Sequence, residues 1–231
     1  MRVTIHTVQL GFDHCYIVQG EGTIMIDAGA PKKKQVFMKC IDRLKITPSE
    51  INLIIVTHGH WDHIGSAKEI KEITGAKIAM HENEREWLEK ALIQLPPGVT
   101  LWGRTLASIM ALFKPLIHLP STNVDIVLGE DEVSLVTYGI PGKILHTPGH
   151  SSGSVSVLLE TGDVFVGDLL MNKFPLRLSP GLPIFAEDMS ILKRSLEALL
   201  ENGAKTIYPA HGKPFSAKIV EKELLKITDD A

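Results

Sequence analysis

The chain has 231 residues, of which 44% are hydrophobic and 22% charged. That composition supplies a substantial core, and with no stretch biased enough to read as a linker the expectation is a single domain over 1–231. The formal net charge is -3 and the lysines are dispersed apart from Lys32-Lys33-Lys34, so the basic footprint of a nucleic-acid binder is missing and no nucleic-acid partner is expected.

Met1 to His6 moves straight into strand-like alternation, without the basic start, apolar run and cleavage site of a secretory signal. The most apolar long segment, Leu106 to Leu119, is interrupted by Ser108, Lys114, Pro115 and His118 and is too short to span a bilayer. A cytoplasmic location with no membrane partner is therefore expected. Cys15 and Cys40 lie far apart, without metal or redox spacing, and read as small apolar residues in a reducing compartment.

In chain order, Val3 to Leu10, Cys15 to Val18 and Thr23 to Ile26 read as short strands joined by glycine turns, an opening β-meander. Pro31 leads a helical pattern to about Lys45. Thr47-Pro48-Ser49-Glu50 has capping-box spacing with proline at the first helical position. Asn52 to Thr57 is a compact apolar run of the kind buried on both faces. Ile64 to Thr74 has helical spacing and stops at Gly75, and Ala76 to Met80 reads as a strand. Glu82 to Leu119 is mostly helical in pattern, broken at Pro96-Pro97-Gly98, and reads as a helical insertion. Short strands return from Val124 to Val166. Asp188 to Leu200 is a helix closed by Gly203, Thr206 to Tyr208 a strand, and Phe215 to Ile227 a last helix. Runs of strands followed by helices predict an α/β sandwich of two mixed β-sheets flanked by helices. No repeat supports or excludes two similar halves.

Thr57-His58-Gly59-His60-Trp61-Asp62-His63 places three histidines and an aspartate within six positions at a strand end, where the chain turns into a helix. Imidazole nitrogen and carboxylate oxygen suit zinc, and also iron or manganese, while the lack of thiolates argues against a closed structural zinc site. His58 and His60 project to one side of an extended loop, whereas Asp62 and His63 start the helix, so the spacing serves two metals. His150, Asp168 and His211 each follow an apolar strand, and side chains at strand ends converge on one rim of a sheet. His146 reads as a strand residue or partner to a ligand. His6, His14, His81 and His118 stand outside the motifs and read as surface or hydrogen-bonded histidines, with orientation of ligands an alternative for His14 and His81.

With this H-x-H-x-D-H motif and the separated histidine, aspartate and histidine, the sequence resembles the metallo-β-lactamase superfamily over nearly its whole length. Ile26-Asp27-Ala28-Gly29 is similar to that family's first motif, which implies that Asp27 supports the site from behind the ligands. The resemblance implies a four-layer αβ/βα sandwich. It also implies that His58, His60 and His150 bind one metal, that Asp62, His63 and His211 bind the other, and that Asp168 bridges them. Asp168 is similar to the pattern of glyoxalase II, bacterial lactonases and metal-dependent nucleases rather than to antibiotic-hydrolysing relatives, and His60 argues against the oxygen-reducing branch.

Two cations about 3.5 to 4 Å apart can share a water and lower its pKa to roughly 7. The expected function is hydrolysis of a small ester, thioester or lactone by hydroxide generated in this way, with two divalent ions, zinc first, and Asp62 also orienting the attacking water. Phosphodiester cleavage, persulfide dioxygenation at a single iron, and a non-catalytic metal-binding role are the alternatives. Lys173 and Arg177 are candidates to contact an anionic substrate group. The helices of 82–119, with Trp87, Trp102, Met110 and Phe113, serve as a cap over the cleft, as cover for the sheet or as a homodimer contact.

Overall fold

The computed structural model describes residues 3–225 and 227. Its first half forms a six-stranded sheet in the order β1 (Thr4–Gln9), β2 (His14–Gln19), β3 (Thr23–Ile26), β4 (Ile51–Ile55), β5 (Lys77–His81) and β6 (Ile126–Leu128). The first three strands are antiparallel, and β3 to β6 run parallel. The second half forms another six-stranded sheet with β7 (Val133–Ser134), β8 (Gly142–His146), β9 (Val155–Leu159), β10 (Asp163–Gly167), β11 (Thr206–Pro209) and β12 (Phe215–Ser216), in the order β12-β11-β10-β9-β8-β7. Each half of the chain thus builds one sheet, although no sequence repeat announces it. The helices are α1 (Lys34–Leu44), α2 (Trp61–Ile64), α3 (Ala67–Thr74), α4 (Arg85–Glu89), α5 (Leu101–Phe113), α6 (Met189–Glu201) and α7 (Lys218–Leu224).

The alternation of side chains along each strand sorts the apolar residues into layers. In β4, Leu53 and Ile55 face the core between the sheets while Ile54 packs outward with Phe37, Ile41 and Ile70 of the helices. In β10, Phe165 points to the central core, and Val164 and Val166 pack with Leu192 and Leu196 of α6. The three apolar layers between four layers of elements are the αβ/βα sandwich.

Several boundaries differ from the sequence reading for local reasons. The helix expected over 64–74 is two pieces, α2 and α3, parted at Gly65-Ser66. Ser66 Oγ donates to Ala30 O at 2.6 Å and accepts from the Lys33 N–H at 2.9 Å, and a Cβ on Gly65 would lie 2.3 Å from Pro31 N. The capping box at Thr47 and Glu50 is present, closing a single 3-10 turn over Pro48–Glu50. The expected helix over 215–227 resolves into β12 and α7, with Lys226 outside the described residues. Among the described residues no helix is long and apolar enough to cross a membrane.

Candidate metal centre

The ends of β3, β4, β8, β10 and β11 reach the same rim of the sandwich, because β3 and β4 are parallel, β10 and β11 are parallel, and β8 and β10 both run antiparallel to β9. On that rim stand Asp27, then His58 to His63, then His150, Asp168 and His211. Two further contacts tie the loops together: the Thr57 carbonyl accepts the Val155 N–H at 2.8 Å, and the Ala28 N–H reaches His63 O at 2.8 Å.

All seven side chains expected as ligands meet here. One nitrogen each from His58, His60 and His150 lie within 4.8 Å of one another, as do ligand atoms of Asp62, His63 and His211, and of His58, His63 and Asp168. His150 Nε2 and His60 Nδ1 are 3.1 Å apart. Asp168 stands between the two triads: Oδ2 is 3.3 Å from His211 Nε2 and 3.8 Å from His150 Nε2, and Oδ1 is 3.5 Å from His63 Nε2. Asp62 Oδ2 lies 3.4 Å from His211 Nε2.

The hydrogen bonds behind the cluster fix which atoms face it. His63 Nδ1 meets Asp27 Oδ2 at 2.9 Å, and His150 Nδ1 meets the Phe185 carbonyl at 2.9 Å, so each donates there and turns Nε2 inward. His58 Nδ1 lies 3.1 Å from Thr57 Oγ1, whose own hydroxyl donates to Asp27 at 2.8 and 2.9 Å. Asp27 also accepts the Thr57 N–H at 2.8 Å. These bonds hold Asp27 at φ 60°, an uncommon conformation for a residue with a side chain. Asp27 therefore braces both His58 and His63.

Left facing one another, the buried atoms His58 Nε2, His63 Nε2 and Asp168 Oδ1 have no hydrogen-bond partner. Four of these separations, 3.1 to 3.5 Å, match roughly 3.3 Å between ligand atoms around a tetrahedral ion with bonds of about 2.0 Å, and that of Asp168 from His150 is longer at 3.8 Å. Electrostatics agrees. Burial holds His58 well below its ordinary pKa and lowers His60 to about 3, leaving neutral lone-pair donors. Burial works against charge on His63 and His211 too, but the carboxylates outweigh it and push His63 up to about 10 and His211 well above its usual value. The carboxylates hold protons on these rings, and a divalent cation would replace those protons. The donor set fits such an ion.

The sequence reading missed Glu84. This fully buried carboxylate accepts the N–H of Gly59 through Oε2 and that of Gly153 through Oε1, the latter at 2.7 Å. It ties the loop of His58 and His60 to the loop of His150. Gly59 is required there, since a Cβ would come 2.6 Å from the Trp87 ring. Gly167, before Asp168, sits at φ +53° with a Cβ position 2.7 Å from Thr57 Oγ1. Trp87 also stacks on His60 at 5.8 Å.

The other candidates lie elsewhere. His146 ends β8, stacks on His81 at 4.1 Å and bonds Ser152 O, and His6 pairs with Gln19. Lys173 donates to Phe12 O and covers the Phe12 ring, while Arg177 donates to Ser179 O and Leu182 O. Arg177 also pairs with Glu223 at 3.9 Å, and Lys173 lies behind the Phe12 ring, which packs on His211 at 5.3 Å. Cys15 is buried and Cys40 partly so, and both are free thiols.

Over the cluster opens a cavity of about 270 Å³, floored by His60, Trp61, Asp62, Asp168 and His211 and walled by Phe12, Leu106, Met110, Pro175, Leu176 and Phe185. Part of the 82–119 segment therefore covers the cleft, while Leu101, Leu112 and Phe113 of the same helix α5 face outward. A larger groove of about 480 Å³ near Lys143 and Lys205 touches none of the candidate ligands. Chemistry, not volume, marks the site.

A structure entitled BLEG-1 B3 metallo-beta-lactamase superposes with a TM-score of 0.73 at 20% identity, covering 97% of this chain and all of that one. A di-iron-bound form of TTHA1623 superposes at 0.66 with 24% identity over 94% and 98% of the two chains. The Probable metallo-hydrolase YqgX of Bacillus subtilis (strain 168) is 28% identical over 156 residues, 67% of this chain and 64% of its own. The chain spans about six tenths of the length of the first curated relatives it matches. Residues 9–211 match the sequence profile of the Metallo-beta-lactamase superfamily, most of whose members are hydrolases, and with the sandwich and the rim of ligands they show that this chain belongs to that superfamily.

Proposed function

We propose that the chain is a binuclear metal-dependent hydrolase of a small ester, thioester or lactone. The observation that carries this reading is the pair of inward-facing donor triads with Asp168 between them, on the floor of an open cavity. His58, His60 and His150 would hold one ion and Asp62, His63 and His211 the other, with Asp168 shared. When bound, paired divalent ions supply Lewis acidity and a water acidified toward neutral pH. Zinc suits the nitrogen and oxygen donors, and the di-iron form of TTHA1623 keeps iron open.

The chain's own groups do the rest. Asp27 and the Phe185 carbonyl keep His63 and His150 in the tautomers that offer Nε2 inward. Asp62, at the cavity floor, accepts a hydrogen bond from the attacking water and sets its direction. No serine or cysteine nucleophile is needed. The expected partner is a small molecule.

Metal analysis with a turnover panel of lactones, thioesters, phosphodiesters and persulfide tests the reading. Two ions per chain, ester or lactone hydrolysis, and loss of activity in Asp62→Asn, with its metal content measured beside its turnover, are expected. One iron per chain with oxygen uptake, or phosphodiester cleavage alone, would overturn it.

A further inference from the structure

Beyond its floor the cavity changes character. Among the described residues that line it, the walls are carbon, and neither Lys, Arg, Ser, Thr, Asn, Gln nor Tyr is present. The cations nearest in sequence to Asp168 are not among the lining: Lys173 donates to Phe12 O, and Arg177 donates to Ser179 O and Leu182 O and pairs with Glu223. An anionic group seated there would lose its water and find no partner among the walls, which is strongly unfavourable.

The walls are also tied to one another by hydrogen bonds of the chain itself. Trp102 Nε1 on α5 donates to Pro175 O at 2.9 Å, joining the helix to the segment that follows Asp168. The Val99 N–H reaches Ile184 O at 2.9 Å and the Ala186 N–H reaches Pro97 O at 3.1 Å, which pin the approach to α5 against the loop of Phe185. Leu106, Met110 and Leu176 then pack on Met171, Ile184 and Phe185 as a small apolar cluster of their own. A preformed apolar seat binds an apolar group without first having to order itself.

We propose that the substrate carries an uncharged, apolar acyl or ring portion seated between α5 and Pro175-Leu176, with its reacting carbonyl at the histidine and aspartate floor. This rests on the hydrolase reading above. At roughly 30 Å³ for each water-sized group, the cavity holds on the order of six to nine non-hydrogen atoms. Hydrolysis adds water across the acyl bond: the carbon to oxygen or sulfur bond breaks, a new carbon to oxygen bond forms, and the leaving group takes the proton. No redox partner enters.

The test is a series of p-nitrophenyl esters from acetate to dodecanoate with the metal-loaded protein, beside the mono-ester of adipate, whose acyl chain ends in a carboxylate. In parallel, 1-octanol binding to the metal-free protein is followed by calorimetry. The expected kcat/KM rises about threefold to fourfold per methylene, levels off near eight carbons, and is at least tenfold lower for the adipate ester than for hexanoate. Octanol binds with a negative heat-capacity change. Met110→Trp, which fills the seat, lowers the octanoate-to-acetate ratio of kcat/KM at least tenfold and removes octanol binding. Met110→Phe serves in its place if circular dichroism shows the tryptophan variant unfolded. A flat chain-length profile, a preference for adipate, or no octanol heat overturns the proposal. Octanol binding that Met110→Trp abolishes, with none of the esters, thioesters or lactones turned over, upholds the apolar seat and overturns the hydrolase reading.

Discussion

Replacement of Glu84 separates a ligand-positioning carboxylate from an ordinary buried one. Its two oxygens accept the N–H groups of Gly59 and Gly153, with the Ser151 hydroxyl a further donor. Burial nevertheless raises its pKa, so holding charge there is itself unfavourable. Glu84→Ala leaves both buried N–H groups unpaired, at about 1 to 3 kcal/mol each, for a total of about 2 to 6 kcal/mol. Glu84→Gln keeps one acceptor, turns an amide donor toward the other N–H, and recovers part of the desolvation, so about 1 to 2 kcal/mol is expected. Urea unfolding of the metal-free variants reads these losses. Because Glu84 joins the loops of His58, His60 and His150, the effect on metal is one-sided. One of two ions should bind about 10- to 100-fold more weakly, while the set of Asp62, His63 and His211 keeps its affinity. Titration calorimetry with zinc resolves the two. Equal weakening of both ions, or an alanine variant as stable as wild type, would refute the reasoning.

Asp13, fully buried, has its pKa pushed up to about 7, chiefly by burial. The unfolded chain gives up this proton near pH 4, so between about pH 4 and 7 the native state binds more protons and stability falls as pH rises. In metal-free protein the stability of Asp13→Asn relative to wild type should therefore climb across that window, with a ceiling of about 4 kcal/mol, and stay level above it. Parallel stability curves for the two proteins from pH 4 to 8 would exclude this. Stripping metal with a chelator should lower the melting temperature: at free ion 100 times Kd each site contributes about 2.7 kcal/mol, and a chain of this size loses about 2 to 4 °C per kcal/mol. Two sites give a drop of about 10 to 20 °C, reversed by zinc. An unchanged melting curve after verified removal of metal would count against the centre.

What the sequence made legible follows the distance over which each feature is encoded. His58, His60, Asp62 and His63 sit within one loop, and His150, Asp168 and His211 each close an apolar strand, so residue type and local pattern suffice to place them on a rim. The apolar run at Leu53, Ile54 and Ile55 likewise carries its own meaning, one residue for the outer core and two for the inner. Glu84 was invisible because His81-Glu82-Asn83-Glu84-Arg85-Glu86 reads as a solvated face. Only the arrival of Gly153, 69 residues away, makes its carboxylate interior. The break at Gly65-Ser66 is hidden for the same reason, since Ala30 and Lys33 from an earlier loop claim the Ser66 hydroxyl. The proposed substrate seat is the extreme case. Its walls join through long-range contacts such as that of Trp102 with Pro175, 73 residues apart, and helical periodicity in α5 cannot say whether Leu106 and Met110 face a core or a cleft. The proposed catalytic chemistry is written in residue types at strand ends, whereas the proposed specificity is written in which loops meet above them, and that is a property of the folded chain alone.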